Sequence, residues 1–333
     1  MCGNMIKQSI GAIALMITLL TVSSCDKVSP TGILVGGSGT DDRVKMSVEY
    51  FKNHLQEDLG AVVDSDEYSF LVGSDSHIAT DTCRMAEMLQ NGLDHNDMFY
   101  ASLGDIADTQ AEYYIKLENT IQTFTAKFVD KYFKYDAAAR AYRNREDTTE
   151  LVDASDIVYP FFSAVGNHDI THNGWALFSS IFHKSFFDYY IQLGNEPVYD
   201  HVIFLDSANG TLGDYQTDLI DEGIFNSNKT IRHTFVFTHT NLFRPSSNQF
   251  SSTFPREELY YLLNKFVEWK ATIVFCGHVH AWDEREVGGV KYLTLESMSE
   301  RNSPNPGDYL VRVHCKKDGT VTYERVHMNY TPK

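Results

Sequence analysis

Five short polar stretches hold the residues most able to do chemistry: Asp75 and His77 in GSDSH, Asp105 and Asp108 in GDIAD, Asn167, His168 and Asp169 in GNHD, the isolated His239, and His278 and His280 in GHVH. Any one of them has a plain explanation, since Gly and Asn tolerate left-handed backbone and Asn and Asp bond their own chain at turns. Together they offer carboxylate, amide and imidazole groups, a mixed oxygen and nitrogen shell suited to Zn, Mn or Fe, with no thiolate to favour a structural zinc site. Two carboxylates, one amide oxygen and four imidazoles from these stretches suffice for two cations, each with a position open for water or substrate. An aspartate placed between two cations could bridge them through its two oxygens.

Each stretch follows an apolar run of β type. YSFLV (68–72) leads to Asp75, MFYASL (98–103) to Asp105, PFFSAV (160–165) to Asn167, HTFVFT (233–238) to His239 and ATIVFC (271–276) to His278, while HVIFLD (201–206) is a sixth run. Helical patterns lie between most of them, clearest in TCRMAEMLQNGL, AEYYIKLENTIQTFTAKFVDKYF and REELYYLLNKFVEW. This alternation predicts an α/β architecture with helices outside and strands inside. Ligands bind at the carboxyl ends of strands in open α/β sheets, so the five loops are expected to converge on one crevice. Near the end, VKYLTLES, DYLVRVHC and TVTYERVHM follow one another without helices and are expected to add antiparallel strands. With no internal repeat, residues 43–333 read as one catalytic domain carrying an insertion at about 109–160. Within it, KYDAAARAYRNREDTTELVDASD (134–156) is polar and charged, either a solvated helical extension or a lid over the site.

The ordered blocks D-x-H, G-D, G-N-H-D, H and G-H-x-H, spread over residues 75–280, resemble the calcineurin-like metallophosphoesterase superfamily. The resemblance implies two stacked mixed β-sheets flanked by helices in a four-layer sandwich, and a two-metal hydrolytic site for a small phosphoester substrate. It implies that Asp75, His77 and His280 hold one metal ion, that Asn167, His239 and His278 hold a second, and that Asp105 bridges them. The ions would be two divalent or transition metals, Mn, Fe or Zn. His168 would face the substrate as the catalytic donor, with Asp108 orienting its ring; Asp169 is the rival for that task, and a cap on a helix beginning near Thr109 is the other reading of Asp108. The activity implied is hydrolysis of a phosphomonoester or phosphodiester by direct attack of a metal-activated water. The alternative is a non-catalytic phosphate-binding or scaffold protein on the same fold.

Two departures from the pattern stand out. Thr240 follows His239 where the family often has a second His or a Pro, which bears on the shape of that loop. Purple acid phosphatases resemble D-x-G and G-D-x-x-Y, whereas here His77 replaces the Gly and Asp108 the Tyr, so an iron-tyrosinate centre is not expected. Outside the motifs, His172, His183, His201 and His233 read as surface or structural, and Trp282 and Asp283 are candidates for the pocket wall.

At 333 residues, 43% hydrophobic and 22% charged, the chain can bury a substantial core. Its net charge of -17, without a basic run, would repel a nucleic-acid backbone, so no surface for nucleic acid is evident and a phosphate must be held by bound cations rather than by global charge. Lys7, the apolar run at residues 10–20 and TVSSC before residue 26 resemble a bacterial lipoprotein signal. On that resemblance residues 1–24 are a signal peptide and Cys25 is acylated. Residues 25–42 are then a tether, and the protein sits in the cell envelope, extracytoplasmic, touching the membrane through the lipid alone. Cys83, Cys276 and Cys315 remain, an odd number that argues against a disulfide framework, and Cys276 at the end of ATIVFC reads as a small buried hydrophobe.

Overall fold

A computed structural model describes residues 39–53, 67–79, 84–145, 149, 151–153, 157, 159–194, 196–245, 253–299 and 309–328. The signal-like segment, Cys25 and Cys83 lie outside these residues.

One sheet is built on β1 (Tyr68–Gly73), β2 (Tyr100–Ser102) and β6 (Phe161–Ser163), which run parallel, with β13 (Tyr309–Cys315) and β14 (Val321–His327) added antiparallel beside β1. The other holds six strands in the order β11 (Asp283–Val287), β12 (Val290–Thr294), β10 (Ala271–Cys276), β9 (Thr230–Phe237), β8 (Val198–Phe204) and β7 (Phe187–Gln192). Alternation along each strand explains the stacking. Phe70 and Val72 point inward while Leu71 points outward, and Phe235 and Phe237 point inward while Val236 points outward. The inward faces meet as a layer of aromatic rings, with Phe70 5.0 Å from Phe235 and Phe237 4.9 Å from Phe275.

Both outer faces are apolar too, and helices cover them. Helices α2 (Met85–His95), α3 (Ala111–Tyr132) and α4 (Gly174–Phe182) pack Met88, Leu117, Phe128 and Phe178 on the first sheet. Helices α1 (Thr40–Asn53), α5 (Asp214–Asp221) and α6 (Arg256–Glu268) pack Val44, Ile220 and Phe266 on the second. The result is the expected mixed α/β sandwich of two sheets between helices.

Three expectations need correction. The tether was expected to reach residue 42, yet α1 starts at Thr40, because Arg43 is fully buried and grips Asp206 at 2.7 and 2.8 Å. The C-terminal strands are not all antiparallel: β12 runs parallel to β10, since the β11–β12 hairpin turns at Gly288 and Gly289 and doubles back. The segment 134–156 is neither a helical extension nor a lid in its described part. It begins with β3 (Phe133–Asp136) and β4 (Ala141–Asn144), an antiparallel hairpin that β5 (Leu151–Val152) extends. The 22-residue α3 starts beside the candidate site and carries the hairpin about 33 Å away, at 1.5 Å per residue. Its far end is tied to the end of α2, where Tyr132 Oη donates to Asn96 Oδ1. Among the described residues no helix is long and apolar enough to cross a membrane.

Candidate metal centre

The five motif loops all leave carboxyl ends of strands: β1 delivers Asp75 and His77, β2 Asp105 and Asp108, β6 Asn167 and His168, β9 His239, and β10 His278 and His280. Because β1 and β2 are parallel, their loops stay side by side and zip together beyond the sheet. Asp75 N–H donates to Gly104 O, His77 N–H to Asp105 O and Ile78 N–H to Ile106 O. Glycines make the close approach possible. A Cβ on Gly166 would lie 2.2 Å from Asp105 N, and one on Gly277 would lie 2.2 Å from Ser74 Oγ. Five of the seven candidate ligands, Asp75, His77, Asp105, His278 and His280, adopt positive φ, a strained backbone that only a well-determined surrounding keeps in place.

The side chains form two adjoining groups. In one, His280 Nε2 stands 3.2 Å from Asp75 Oδ1 and 3.3 Å from His77 Nε2. In the other, Asn167 Oδ1 lies 2.9 Å from both His239 Nε2 and His278 Nδ1, and the two ring nitrogens are 3.2 Å apart. Asp105 joins them. Its Oδ2 stands 3.8 Å from His77 Nε2 and 3.4 Å from His239 Nε2. Its Oδ1 accepts the His168 N–H at 2.7 Å, and Oδ2 is the oxygen that stands near both groups. Asp75 is divided in the same way: Oδ2 accepts the His278 N–H and the Ser74 hydroxyl, while Oδ1 is buried, takes no hydrogen bond among the described residues and faces His280. His239 Nδ1 donates to Leu103 O at 2.8 Å, which turns its Nε2 toward Asn167.

The electrostatics ask for positive charge. Burial opposes a charged Asp75, but His280 overcomes it and holds the carboxyl at about 2. Asp105 is driven down in the same way, against burial, chiefly by His239. Burial would lower His239, yet Asp105 lifts it to about 9, whereas burial and the charge on His239 push His278 down to about 4. Two buried carboxylates thus require cationic neighbours, and Asp75 Oδ1, Asp105 Oδ2 and crowded ring nitrogens converge on the same space. The residues fit divalent metal ions.

His168 lies at the rim, its side chain 47% exposed, edge-on to the His77 ring at 4.7 Å. Asp108 Oδ1 is 3.7 Å from His168 Nδ1. Asp169, the rival, is occupied elsewhere: its oxygens accept the Gly166 and Ile106 N–H groups and the Tyr114 hydroxyl, latching its own loop to the loop after β2 and to α3. Burial and the nearby Asp105 raise its carboxyl to about 7. The capping role for Asp108 is not seen, since α3 starts at Ala111 after Gln110 with no side-chain cap.

Thr240 closes the loop after β9 onto Ser207, whose Oγ accepts the His239 and Thr240 N–H groups and whose carbonyl accepts the Thr240 hydroxyl. Ser207 and Tyr114 escaped the sequence reading. Ser207 follows the apolar run HVIFLD, and looking past the end of that run would have found it. His201 pairs with Asp188 at 2.7 Å, His183 stacks on Tyr50, His172 is exposed and His233 is half-buried on β9. Trp282 packs under the Arg325 guanidinium and Asp283 binds Arg285.

Stacked mixed sheets whose strand ends gather a carboxylate, amide and imidazole cluster define a metal-site α/β protein. The chain belongs to the calcineurin-like phosphoesterase family, whose sequence profile matches residues 68–282. No curated protein sequence matches it. Among solved structures it is similar to the anchor in the inner membrane complex of Plasmodium, at 12% identity over 79% of this chain and 90% of that one, with a TM-score of 0.47. A dimetal phosphatase from Danio rerio is similar at 11% identity over 79% of this chain and 99% of that one, with a TM-score of 0.43. A purple acid phosphatase from yellow lupin (Lupinus luteus) seeds is similar at 13% identity over 78% of this chain and 52% of that one, with a TM-score of 0.47. The family and the residue clusters support a metal-dependent phosphoesterase.

Proposed function

We propose that the protein hydrolyses a phosphomonoester or phosphodiester at a binuclear centre, with water attacking phosphorus directly and no phosphoenzyme. The observation that carries this reading is the position of Asp105 Oδ2 between the two ligand groups. Asp75, His77 and His280 would hold one ion, Asn167, His239 and His278 the other, and Asp105 both. Ions bound there would acidify a water and neutralise the phosphoryl oxygens. The chain's own residues do the rest. Main-chain N–H groups lock one oxygen of each carboxylate, which commits Asp75 and Asp105 to the ligand set and leaves water as the nucleophile. His168, exposed at the rim, donates to a phosphoryl or leaving oxygen, with Asp108 behind its Nδ1.

Turnover of p-nitrophenyl phosphate or its bis ester with added Mn²⁺, abolished by a chelator, is the expected result. Phosphate binding without turnover of either ester would favour a scaffold. Asp105→Asn is expected to weaken the affinity for both ions in calorimetry, and loss at one site alone would contradict the bridge.

The same proposal places the protein in a bacterial cell envelope through an acylated Cys25, supported by Lys7, the apolar run at 10–20 and TVSSC. Mass spectrometry of membrane-extracted protein is expected to find a lipid on Cys25, and an intact Met1 would remove the idea.

A further inference from the structure

The candidate ligand His77 has two sides. Its Nε2 faces His280 Nε2, Asp105 Oδ2 and Asp75 Oδ1 at 3.3, 3.8 and 4.0 Å. Its Nδ1 points the other way. That ring is only 4% exposed, and among the described residues Nδ1 takes no hydrogen bond. Facing it is Asp108, with Oδ1 at 3.6 Å, and the same oxygen is 3.7 Å from His168 Nδ1. One carboxylate therefore lies between two imidazoles set edge to face at 87°.

The backbone holds this arrangement. The zipped loops after β1 and β2 end with Ile78 and Ala107 bridged in parallel and Asp108 N–H reaching Ile78 O, so Asp108 is tied one residue from His77. Ser76 Oγ adds a bond to Ile106 O. The Asp108 side chain, 40% exposed, is not engaged as a helix cap and can rotate to close either gap.

A histidine that ligates through one ring nitrogen needs an acceptor for the N–H on the other, which fixes the tautomer and the ring's aim. We propose that Asp108 is a positioning residue for His77 as well as for His168, accepting the His77 Nδ1–H and holding Nε2 toward Asp75, Asp105 and His280. This rests on the metal-centre reading above. Asp108 thereby ties the first metal group to the donor at the rim, and removing it affects metal affinity even where His168 plays no part.

The test is calorimetric titration of Mn²⁺ into the full-length protein and three variants. Asp108→Ala is expected to weaken one of the two sites by about 10- to 100-fold, the range for loss of such an outer partner. Asp108→Asn, which keeps an acceptor oxygen and the side-chain volume, is expected to lose less. His168→Ala is expected to bind both ions like the wild type. Unchanged affinity in Asp108→Ala, or an equal loss in His168→Ala, would overturn the proposal. Wild-type protein that takes up no Mn²⁺ would instead bring down the functional reading, and this one with it.

Discussion

At the scale of single residues, the division of labour between the two oxygens of each aspartate organises the site. Asp75 and Asp105 each give one oxygen to a main-chain N–H and present the other to the cluster. His168 stands outside it, so His168→Ala is expected to lose about 10² to 10⁴ in rate, the worth of positioned acid catalysis, while both metal ions stay bound. The loss should shrink for p-nitrophenyl esters, whose leaving group needs little protonation. An equal loss across leaving groups would argue against a donor role. The buried histidines also predict a pH dependence. His239, held at about 9 by Asp105, carries a proton at neutral pH that a metal ion must displace. Metal affinity should therefore rise as pH rises toward that value, by up to about tenfold per unit for one proton released. Calorimetry in buffers of different ionisation enthalpy reads the released protons, and pH-independent affinity would contradict the protonated His239.

At the scale of elements, α3 and the hairpin that follows it behave as two different things. The helix is part of the core: Leu117 and Phe128 are buried against the first sheet, and Tyr114 bonds Asp169, which in turn holds the Gly166 and Ile106 loops. Leu117→Ala is expected to cost about 2–5 kcal/mol of stability in denaturant unfolding. The β3–β4 hairpin sits at the other end of the helix, so replacing residues 134–144 with a short linker should leave Mn²⁺ binding as it was. Metal binding lost along with the hairpin, in a variant that still folds, would show that the helix transmits more than its packing suggests.

At the scale of the whole molecule, the four layers bring together residues that are far apart in the chain, and the charge cluster they create is best satisfied by bound cations. A metal that binds only the folded state at 100 times its Kd stabilises by about 2.7 kcal/mol, so Mn²⁺ is expected to raise the melting temperature and a chelator to lower it. A melting curve indifferent to both would mean that the cluster is not a metal site. Much of this was legible in the sequence. The six apolar runs are strands, and the long helical patterns are helices, because burial on both faces leaves a continuous apolar signal. The ligand-type residues were visible because each motif follows a run that ends at the site. Other features were hidden for physical reasons. The first turn of α1, residues 40–42, looked like the end of a tether, since a helix whose only fully buried charge is Arg43 shows its purpose when Asp206, remote in sequence, is beside it. The hairpin after α3 is short and exposes Lys134 and Tyr135 side by side, which leaves little periodicity to read. By itself the sequence determined which groups are present and that they lie at strand ends, because local apolar patterning and residue chemistry are properties of the chain. Tertiary structure alone decided that one oxygen of Asp105 accepts the His168 N–H, that Asp169 latches loops instead of serving His168, and that Asp108 lies between His77 and His168. Those outcomes depend on which backbone N–H and which ring stand within about 3–4 Å, distances set by the packing of parallel strands and their zipped loops.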